Sequence, residues 1–385
     1  MPAADTVLFV STWPYLGGAQ VSLATVLASP AAGIRHVLAV PGTGPFVDRV
    51  RALPDPPELL VLPELGSAPS WRVRTRAAWV LGRWIVRNRA RVQAVHCNGD
   101  SELKLLLPVL PLLVLSTRAP VAVWHHNKEV PASLARLRQA WRLFARRIVW
   151  MPVSAAARDE LRAVGIGNDR DTVVVPNPID AGAVVPEVRA ARTGDTFVAG
   201  YLGFENVDKG ILELPAIAER LRGSRVRILC VTKERAADAL APEVNDALAQ
   251  LRALPELVEF TPRDHDVRNV YARVDALLVP SHAESFCRIA AEAMCNGLPV
   301  VGSDLPALRE VLGDDAGLLF PVRDTDAASA ALLRLADDAG LVAGMGAAGR
   351  ERADRYSPAA VAELLGAVYA LRPPVDARQV GRSAT

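Results

Sequence analysis

The sequence predicts an α/β protein made of two Rossmann-like, doubly wound lobes facing each other across a cleft. Three observations lead there. At 385 residues the chain is longer than one hydrophobic core normally sustains, so two domains are expected. Short β-branched runs alternate with helical stretches through both halves, the pattern of parallel strands joined by crossover helices. The alternation pauses once, at VVVPNPID (Val173 to Asp180), where prolines on either side of Asn177 stop regular structure and suggest a hinge.

Taken in order, the strands of the first lobe fall at Thr6 to Ser11, His36 to Val40, Gln93 to Cys97, Val121 to Trp124 and Ile148 to Val153. Those of the second fall at Thr196 to Leu202, Arg225 to Val231, Val258 to Thr261, Ala276 to Val279, Pro299 to Gly302 and Leu318 to Phe320. The domains are therefore expected at 1–180 and 181–355. In doubly wound sheets ligands bind at the C-terminal strand ends, so function is sought where those ends meet.

Composition narrows the class. With 51% hydrophobic and 22% charged residues the chain is globular, except for a tail, 373–385, expected to be flexible. The four cysteines, Cys97, Cys230, Cys287 and Cys295, have no zinc-like spacing, and a reduced cytoplasm fits them. MPAADTVLFVSTW lacks a basic segment before its short apolar run, so secretion is not expected. The longest apolar run, Leu105 to Leu115, is about half a bilayer span and contains prolines, so no transmembrane helix is expected.

Charge is uneven. Residues 1–190 carry about +8 and the remainder about −6. The excess sits in WRVRTRAAWVLGRWIVRNRAR (Trp71 to Arg91) and LARLRQAWRLFARR (Leu134 to Arg147), which mix arginine with tryptophan. Two readings stay open: solvated helix faces with tryptophan in the core, or contact with an anionic membrane surface or a lipid-linked acceptor. Nucleic acid is not expected, because the charge lies on an otherwise ordinary apolar fold.

The chemistry concentrates in VPSHAESFCRIAAEAMCNGLPVV (Val279 to Val301), which reads strand, loop, helix, glycine, strand. Glu284 stands just before the helix and Glu292 inside it. At the helical rise, eight residues separate two carboxylates by about 12 Å, enough to touch a sugar and a ribose on either side of a diphosphate. Between them the amides of Ser285, Phe286 and Cys287 would point from a helix N-terminus toward phosphate oxygens.

This segment resembles the retaining glycosyltransferases of family four (glycosyl transferases group 1), whose hallmark is two glutamates separated by seven residues. The resemblance extends through AEAMCNGLPVVGSD to ALREVLGDDAGLLF, and takes in VVVPNPID, GYLGFENVDKGILEL (Gly200 to Leu214) and the N-terminal TWPYLGGAQVSLATVL. It implies the two-lobed GT-B fold and a last helix, 356–372, crossing back to the first lobe. It implies transfer of a sugar from a UDP- or GDP-linked donor with retained configuration, the leaving diphosphate deprotonating the acceptor hydroxyl. The acceptor would be a sugar, a lipid-linked group or a small molecule, and the protein cytoplasmic, at the inner face of the membrane if the basic lobe docks there.

By the same resemblance Glu292 holds the donor ribose, Glu284 the transferred sugar and Lys209 the diphosphate. Gly17 and Gly18 let backbone approach the ligand, and one of His125 and His126, with a slight preference for His125, borders the reacting sugar. His96 is read as structural or acceptor-side, and His282 as a loop cap. Relatives often carry an arginine before the lysine, where this chain has Tyr201 or Phe204. Arg263, Arg288 or Lys233 could replace it. Neither a metal nor a bound cofactor is expected, since lysine and helix amides can neutralise phosphate. The competing readings are an epimerase or phosphorylase on the same scaffold, and a non-catalytic partner, suggested by Phe204 and by Cys287 where relatives have glycine.

Overall fold

The computed structural model describes residues 5–29, 34–65, 70–127, 147–180, 195–203, 205–232, 240–262 and 267–370. The chain divides into two compact units, Met1–Pro178 with Tyr356–Thr385, and Ile179–Arg355.

The first unit is built on β1 (Thr6–Val10), β2 (Arg35–Pro41), β3 (Glu58–Leu62), β4 (Val92–Cys97), β5 (Val121–His125) and β6 (Ile148–Pro152), in the order β3-β2-β1-β4-β5-β6. All its pairings are parallel. Such strands are covered on both faces and need continuous apolar runs; β1, TVLFV, is buried at every position. Around the sheet lie α1 (Gly18–Ala28), α2 (Pro45–Arg51), α3 (Trp71–Asn88), α4 (Asp100–Leu106), α5 (Leu110–Ser116) and α6 (Ala155–Ala163). Helix α3 starts at Ser70, whose hydroxyl accepts from the amide of Val73, and it buries Ala77, Ala78, Leu81 and Ile85 along one face.

β3 is absent from the strands expected above. Its sequence, ELLVL, follows PDPP and lies at the sheet edge, where only Leu62 is fully buried. A half-exposed edge strand needs neither the length nor the burial that make a central strand legible. The leucine-rich run divides into the end of α4, a 3₁₀ turn at Leu107–Val109 and α5, with proline near each new start. Among the described residues no helix is long and apolar enough to cross a membrane.

The second unit repeats the plan with β7 (Phe197–Tyr201), β8 (Val226–Thr232), β9 (Val258–Pro262), β10 (Ala276–Val279), β11 (Val300–Ser303) and β12 (Gly317–Phe320). Its order is β12-β11-β10-β7-β8-β9, again parallel. Numbered within each unit, both sheets run 3-2-1-4-5-6. The helices are α7 (Leu214–Arg220), α8 (Pro242–Arg252), α9 (Val267–Tyr271), α10 (Arg288–Cys295), α11 (Pro306–Leu312), α12 (Thr325–Asp337) and α13 (Ala339–Ala353).

The last helix, α14 (Pro358–Ala370), belongs to the first unit, where it meets α1 and β4. Tyr369 brings its hydroxyl 2.7 Å from Nδ1 of His96 in the middle of that unit's core. The proline-rich segment is tied to the same unit at two points. The Trp124 indole donates to the Val175 carbonyl at 2.9 Å, and Ser22 Oγ lies 2.8 Å from Asn177 Oδ1.

Candidate functional site

In a 3-2-1-4-5-6 sheet the strand order reverses between the first and fourth strands, and the loops leaving those strands open a crevice there. In the second unit these loops follow β7 and β10. The first closes with the 3₁₀ turn Val207–Lys209, capped by Asn206, and ends at Gly210 in the left-handed region with φ of 72°. No other residue fits, because a Cβ on Gly210 would stand 1.9 Å from the Pro280 carbonyl oxygen. That close approach brings the two loops together. The amide of His282 donates to the Asp208 carbonyl at 2.8 Å, and its ring Nε2 lies 2.9 Å from Glu213 Oε1.

Lys209 and Glu284 meet across this junction, Nζ to Oε1 at 2.6 Å, and Ser281 Oγ donates to the same oxygen at 2.8 Å. Burial, the largest single influence, works against the Lys209 ammonium, but the charge and hydrogen bond of Glu284 together with Cys287 and Asp208 raise the lysine pKa. A second pair stands on α10, where Arg288 reaches Glu292 Oε1 at 3.2 Å one turn on, and the Tyr271 hydroxyl donates to Oε2 at 2.9 Å. Each carboxylate is thus held in place by a cation and a hydroxyl.

Two sequence expectations are corrected here. Helix α10 begins at Arg288, so Ser285, Phe286 and Cys287 form the loop before it. Its first turn therefore offers the amides of Arg288 and Ile289, while that of Ala290 already donates to the Cys287 carbonyl at 3.1 Å. Helical rise accordingly does not set the spacing of Glu284 and Glu292. Cys287 itself has φ of 69°, a conformation that glycine adopts freely and other residues rarely do. The glycine that the resemblance leads one to expect there would adopt this conformation without strain. The Cys287 thiol is buried, and burial with the Glu284 charge raises its pKa far above the usual value.

The first unit carries a different set at its own crevice. Helix α1 starts at Gly17, which is in an ordinary extended conformation, and its first intrahelical donor is Val21, so the amides of Gly18, Ala19 and Gln20 precede the helical ladder. The amide and hydroxyl of Thr12 both donate to Glu102 Oε1 at 2.7 Å, and burial raises the Glu102 pKa despite them. His125 ends β5, fully buried, with Nδ1 3.1 Å from both oxygens of Asp100, and Asn127 donates to Asp100 Oδ2 at 2.8 Å. His126 is half-buried, its ring 4.7 Å from that of Trp124. His96 lies in the core against Phe9, Trp124 and Tyr369, and burial lowers its pKa to about 3.

The structure thus brings together Lys209, Glu284, Glu292 and Cys287 in the second unit, and sets His125, Gly17 and Gly18 at strand ends of the first. Arg263, Lys233 and Phe204 lie outside the described residues, while Tyr201 is buried in β7. Of the cations considered as replacements, Arg288 stands beside Glu292. Sequence reading missed Tyr271, Glu213, Asp100, Glu102 and Thr12. Only the position of Asp100 and Glu102, just after a predicted strand, could have marked them.

Two parallel 3-2-1-4-5-6 sheets, with half-buried cation–carboxylate pairs at the reversal of the second, define a two-lobed α/β protein of the GT-B type, a class of glycosyltransferases. The sequence pattern of the family Glycosyl transferases group 1 matches residues 196–338, which hold all these pairs. A phosphatidyl-myo-inositol mannosyltransferase of Mycolicibacterium smegmatis is 30% identical over 318 residues, 80% of this chain and 78% of the relative. A D-inositol 3-phosphate glycosyltransferase of Nocardia farcinica is 29% identical over 74% of this chain and 63% of its own length. Among solved structures, a glycosyltransferase from Rickettsia africae superposes with a TM-score of 0.78 at 16% identity, covering 95% of this chain and 97% of its own. HepE of Anabaena, solved with UDP and glucose, gives 0.74 at 18% identity, over 94% and 98%. The chain belongs to the Glycosyl transferases group 1 family and is a glycosyltransferase.

Proposed function

We propose that this glycosyltransferase moves a sugar from a UDP- or GDP-linked donor to an acceptor hydroxyl with retention of configuration and without a metal ion, as a member of family four. The observation that carries the reading is the pairing of Lys209 with Glu284 beside that of Arg288 with Glu292, at the reversal point of the second sheet. With donor bound, Lys209 turns from Glu284 to the diphosphate, where a point cation stabilises the negative charge that grows as the glycosyl bond breaks. Glu284, released, accepts hydroxyls of the transferred sugar, and Glu292, held by Arg288 and Tyr271, accepts those of the ribose. The loop amides of Ser285, Phe286 and Cys287, with those of α10 and Arg263, add to phosphate binding. Gly17, Gly18 and one of His125 and His126 serve the sugar and acceptor side. The leaving diphosphate takes the acceptor proton on the same face, so no enzymic nucleophile is needed.

The donor class is supported by HepE, solved with UDP, with UDP and glucose and with UDP-glucose. An acceptor that is a small polyol or a lipid-linked one is supported by the relatives named for inositol phosphate and phosphatidyl-myo-inositol. Action at the inner face of the membrane is supported by α3, which has no acidic residue in its first turn and leaves Trp71 and Trp79 70% and 61% exposed. Arg72, Arg74, Arg76, Arg83 and Arg87 are exposed on the same helix, and the Arg83 guanidinium lies over the Trp79 ring at 5.2 Å. Arginine draws such a helix to anionic lipid and tryptophan seats in the interface.

Thermal stabilisation by UDP, GDP and ADP and their common sugars tests the donor reading. One nucleotide should raise the melting temperature, and Glu292→Ala or Lys209→Ala should abolish the rise; no rise with any of them favours the non-catalytic reading. Cosedimentation with phosphatidylglycerol vesicles, lost in Trp79→Ala/Arg83→Ala and in high salt, tests the membrane reading.

A further inference from the structure

The two loops that meet at the reversal of the second sheet are joined at more points than donor binding alone requires. One carries Asp208, Lys209, Gly210 and Glu213, the other Pro280, His282 and Glu284. Gly210 packs on the Pro280 carbonyl, and the His282 amide donates to the Asp208 carbonyl at 2.8 Å. Two side-chain contacts then bridge the same junction in parallel: Lys209 Nζ to Glu284 Oε1 at 2.6 Å, and His282 Nε2 to Glu213 Oε1 at 2.9 Å.

The second contact is not dictated by its own helix. Glu213 stands just before the first turn of α7, where a carboxylate can satisfy free amides, yet it makes no hydrogen bond to them. Its Oε2 is buried without a partner, so among the described residues His282 supplies the only hydrogen bond of that side chain. The two contacts also differ in access. Lys209 is 25% exposed, whereas Glu213 and His282 are 13% and 12% exposed, out of the way of a ligand that reaches the lysine.

We propose that Glu213 and His282 are positioning residues for the donor-bound state: they hold the two loops together once the diphosphate has drawn Lys209 off Glu284, so that Glu284 stays in place for the transferred sugar. This rests on the assignment of Lys209 to the diphosphate made above. In the free protein either side-chain contact suffices, since both close one junction. With donor bound only the second remains, and one backbone hydrogen bond contributes too little to fix two loops by itself. A junction that opened on binding would charge the ligand with the cost of ordering it again.

The His282 amide reports the state of the junction, because its hydrogen exchanges slowly only while it is bonded to Asp208. The experiment is hydrogen exchange of the full-length protein, read by mass spectrometry on peptides covering 278–286, without nucleotide and with saturating UDP, GDP or ADP. Without nucleotide, Lys209→Ala and Glu213→Ala should each exchange within about threefold of the wild type, and Lys209→Ala/Glu213→Ala about tenfold faster or more, the non-additivity of two parallel contacts. Lys209→Ala/Glu213→Gln should be slow again, since a glutamine amide can donate to or accept from the imidazole. With the nucleotide that binds, the wild type should stay protected. Glu213→Ala and His282→Ala should lose protection and bind that nucleotide about fivefold more weakly in calorimetry, or worse.

Protection already lost in Glu213→Ala without nucleotide makes the pair a standing part of the fold and overturns the proposal. So does a Lys209→Ala/Glu213→Ala variant as slow as the wild type. If the Lys209 variants do not fold, the nucleotide arm decides alone, and Glu213→Ala that stays protected with nucleotide bound refutes the role. Absence of binding by all three nucleotides to the wild type is a separate failure: it sinks the donor reading, and the donor-bound role of the pair with it.

Discussion

The two sheets have the same strand order, yet the groups gathered at their reversal points are of opposite kinds. In the second unit half-buried carboxylates are paired with cations, Lys209 with Glu284 and Arg288 with Glu292. In the first, the carboxylates of Asp100 and Glu102 are met by an imidazole, a side-chain amide, and a threonine hydroxyl and backbone amide, with no lysine or arginine. A crevice whose positive charge can be drawn off by a ligand suits a diphosphate. One that offers lone pairs on fixed carboxylates suits hydroxyls. The fold supplies the location, and the residues on two loops decide what binds there.

The largest expected effect breaks the symmetry of the units. Ending the chain at Tyr356 removes α14, with its buried Val361, Leu365, Val368 and Tyr369. At about 1.5 to 3 kcal/mol for each large buried side chain the loss is about 6 kcal/mol or more, comparable to a domain's whole stability. The first unit should lose its cooperative melting transition in calorimetry while the second keeps its own; one unaltered transition for both would refute the division.

Next come the cation pairs. Lys209→Ala leaves the Glu284 carboxylate, only 7% exposed, without its cation. We expect about 3 kcal/mol of destabilisation in urea titrations, because breaking a buried pair strands the other charge. Lys209→Ala/Glu284→Ala should recover most of that stability, and none of the nucleotide-induced thermal shift. A pair of purely structural value would leave the nucleotide-induced shift intact in every variant that folds.

The units should also differ in the pH that unfolds them. Burial, with His36 adding in the same direction, lowers His96 from 6.5 to about 3. Between those values the unfolded chain binds a proton that the folded one refuses. The contribution present above pH 6.5 is therefore lost as pH falls toward 3, by about 1.4 kcal/mol per unit at its steepest. His36, lowered by burial to about 4 against the pull of Asp55, adds to the same trend. Lys209 has a raised pKa, so what it contributes is complete below the ordinary lysine value of 10.5 and lost as pH rises through its folded value. Calorimetry should show the first unit failing first in acid, and His96→Gln should flatten that slope.

The smallest effect concerns the loop before α10. Cys287→Gly should be more stable than Cys287→Ala by about 1 kcal/mol in urea, since only glycine is relieved of the left-handed conformation at φ of 69°. Equal stability would mean that the turn does not hold that angle in solution.

Much of this was legible in the chain. Central strands such as β1 and β10 are buried at every position, so their apolar runs stand out from the helices around them. Lys209, Glu284 and Glu292 were legible because their surroundings resemble a family pattern, and Arg288 could be paired with Glu292 by helical spacing alone. Their other partners were not. Tyr271 lies 21 residues from Glu292, Glu213 lies 69 from His282, and Asp100 lies 25 from His125. Each contact exists only because the strand order brings separate loops to one edge. The edge strand β3 escaped for the opposite reason, since nothing packs closely enough on it to leave a pattern.

The contact between Tyr369 and His96 joins residues 273 positions apart in the chain. On the ribosome the whole second unit, Ile179–Arg355, emerges between them. That unit is one continuous stretch and can complete its core as soon as its last residue is free, whereas the first must wait with β4 incompletely covered until α14 has been made. The part synthesised first is therefore the part finished last. Until then the open face of β1 and β4 is the surface a chaperone would recognise, and a premature stop ahead of α14 would leave it exposed for good.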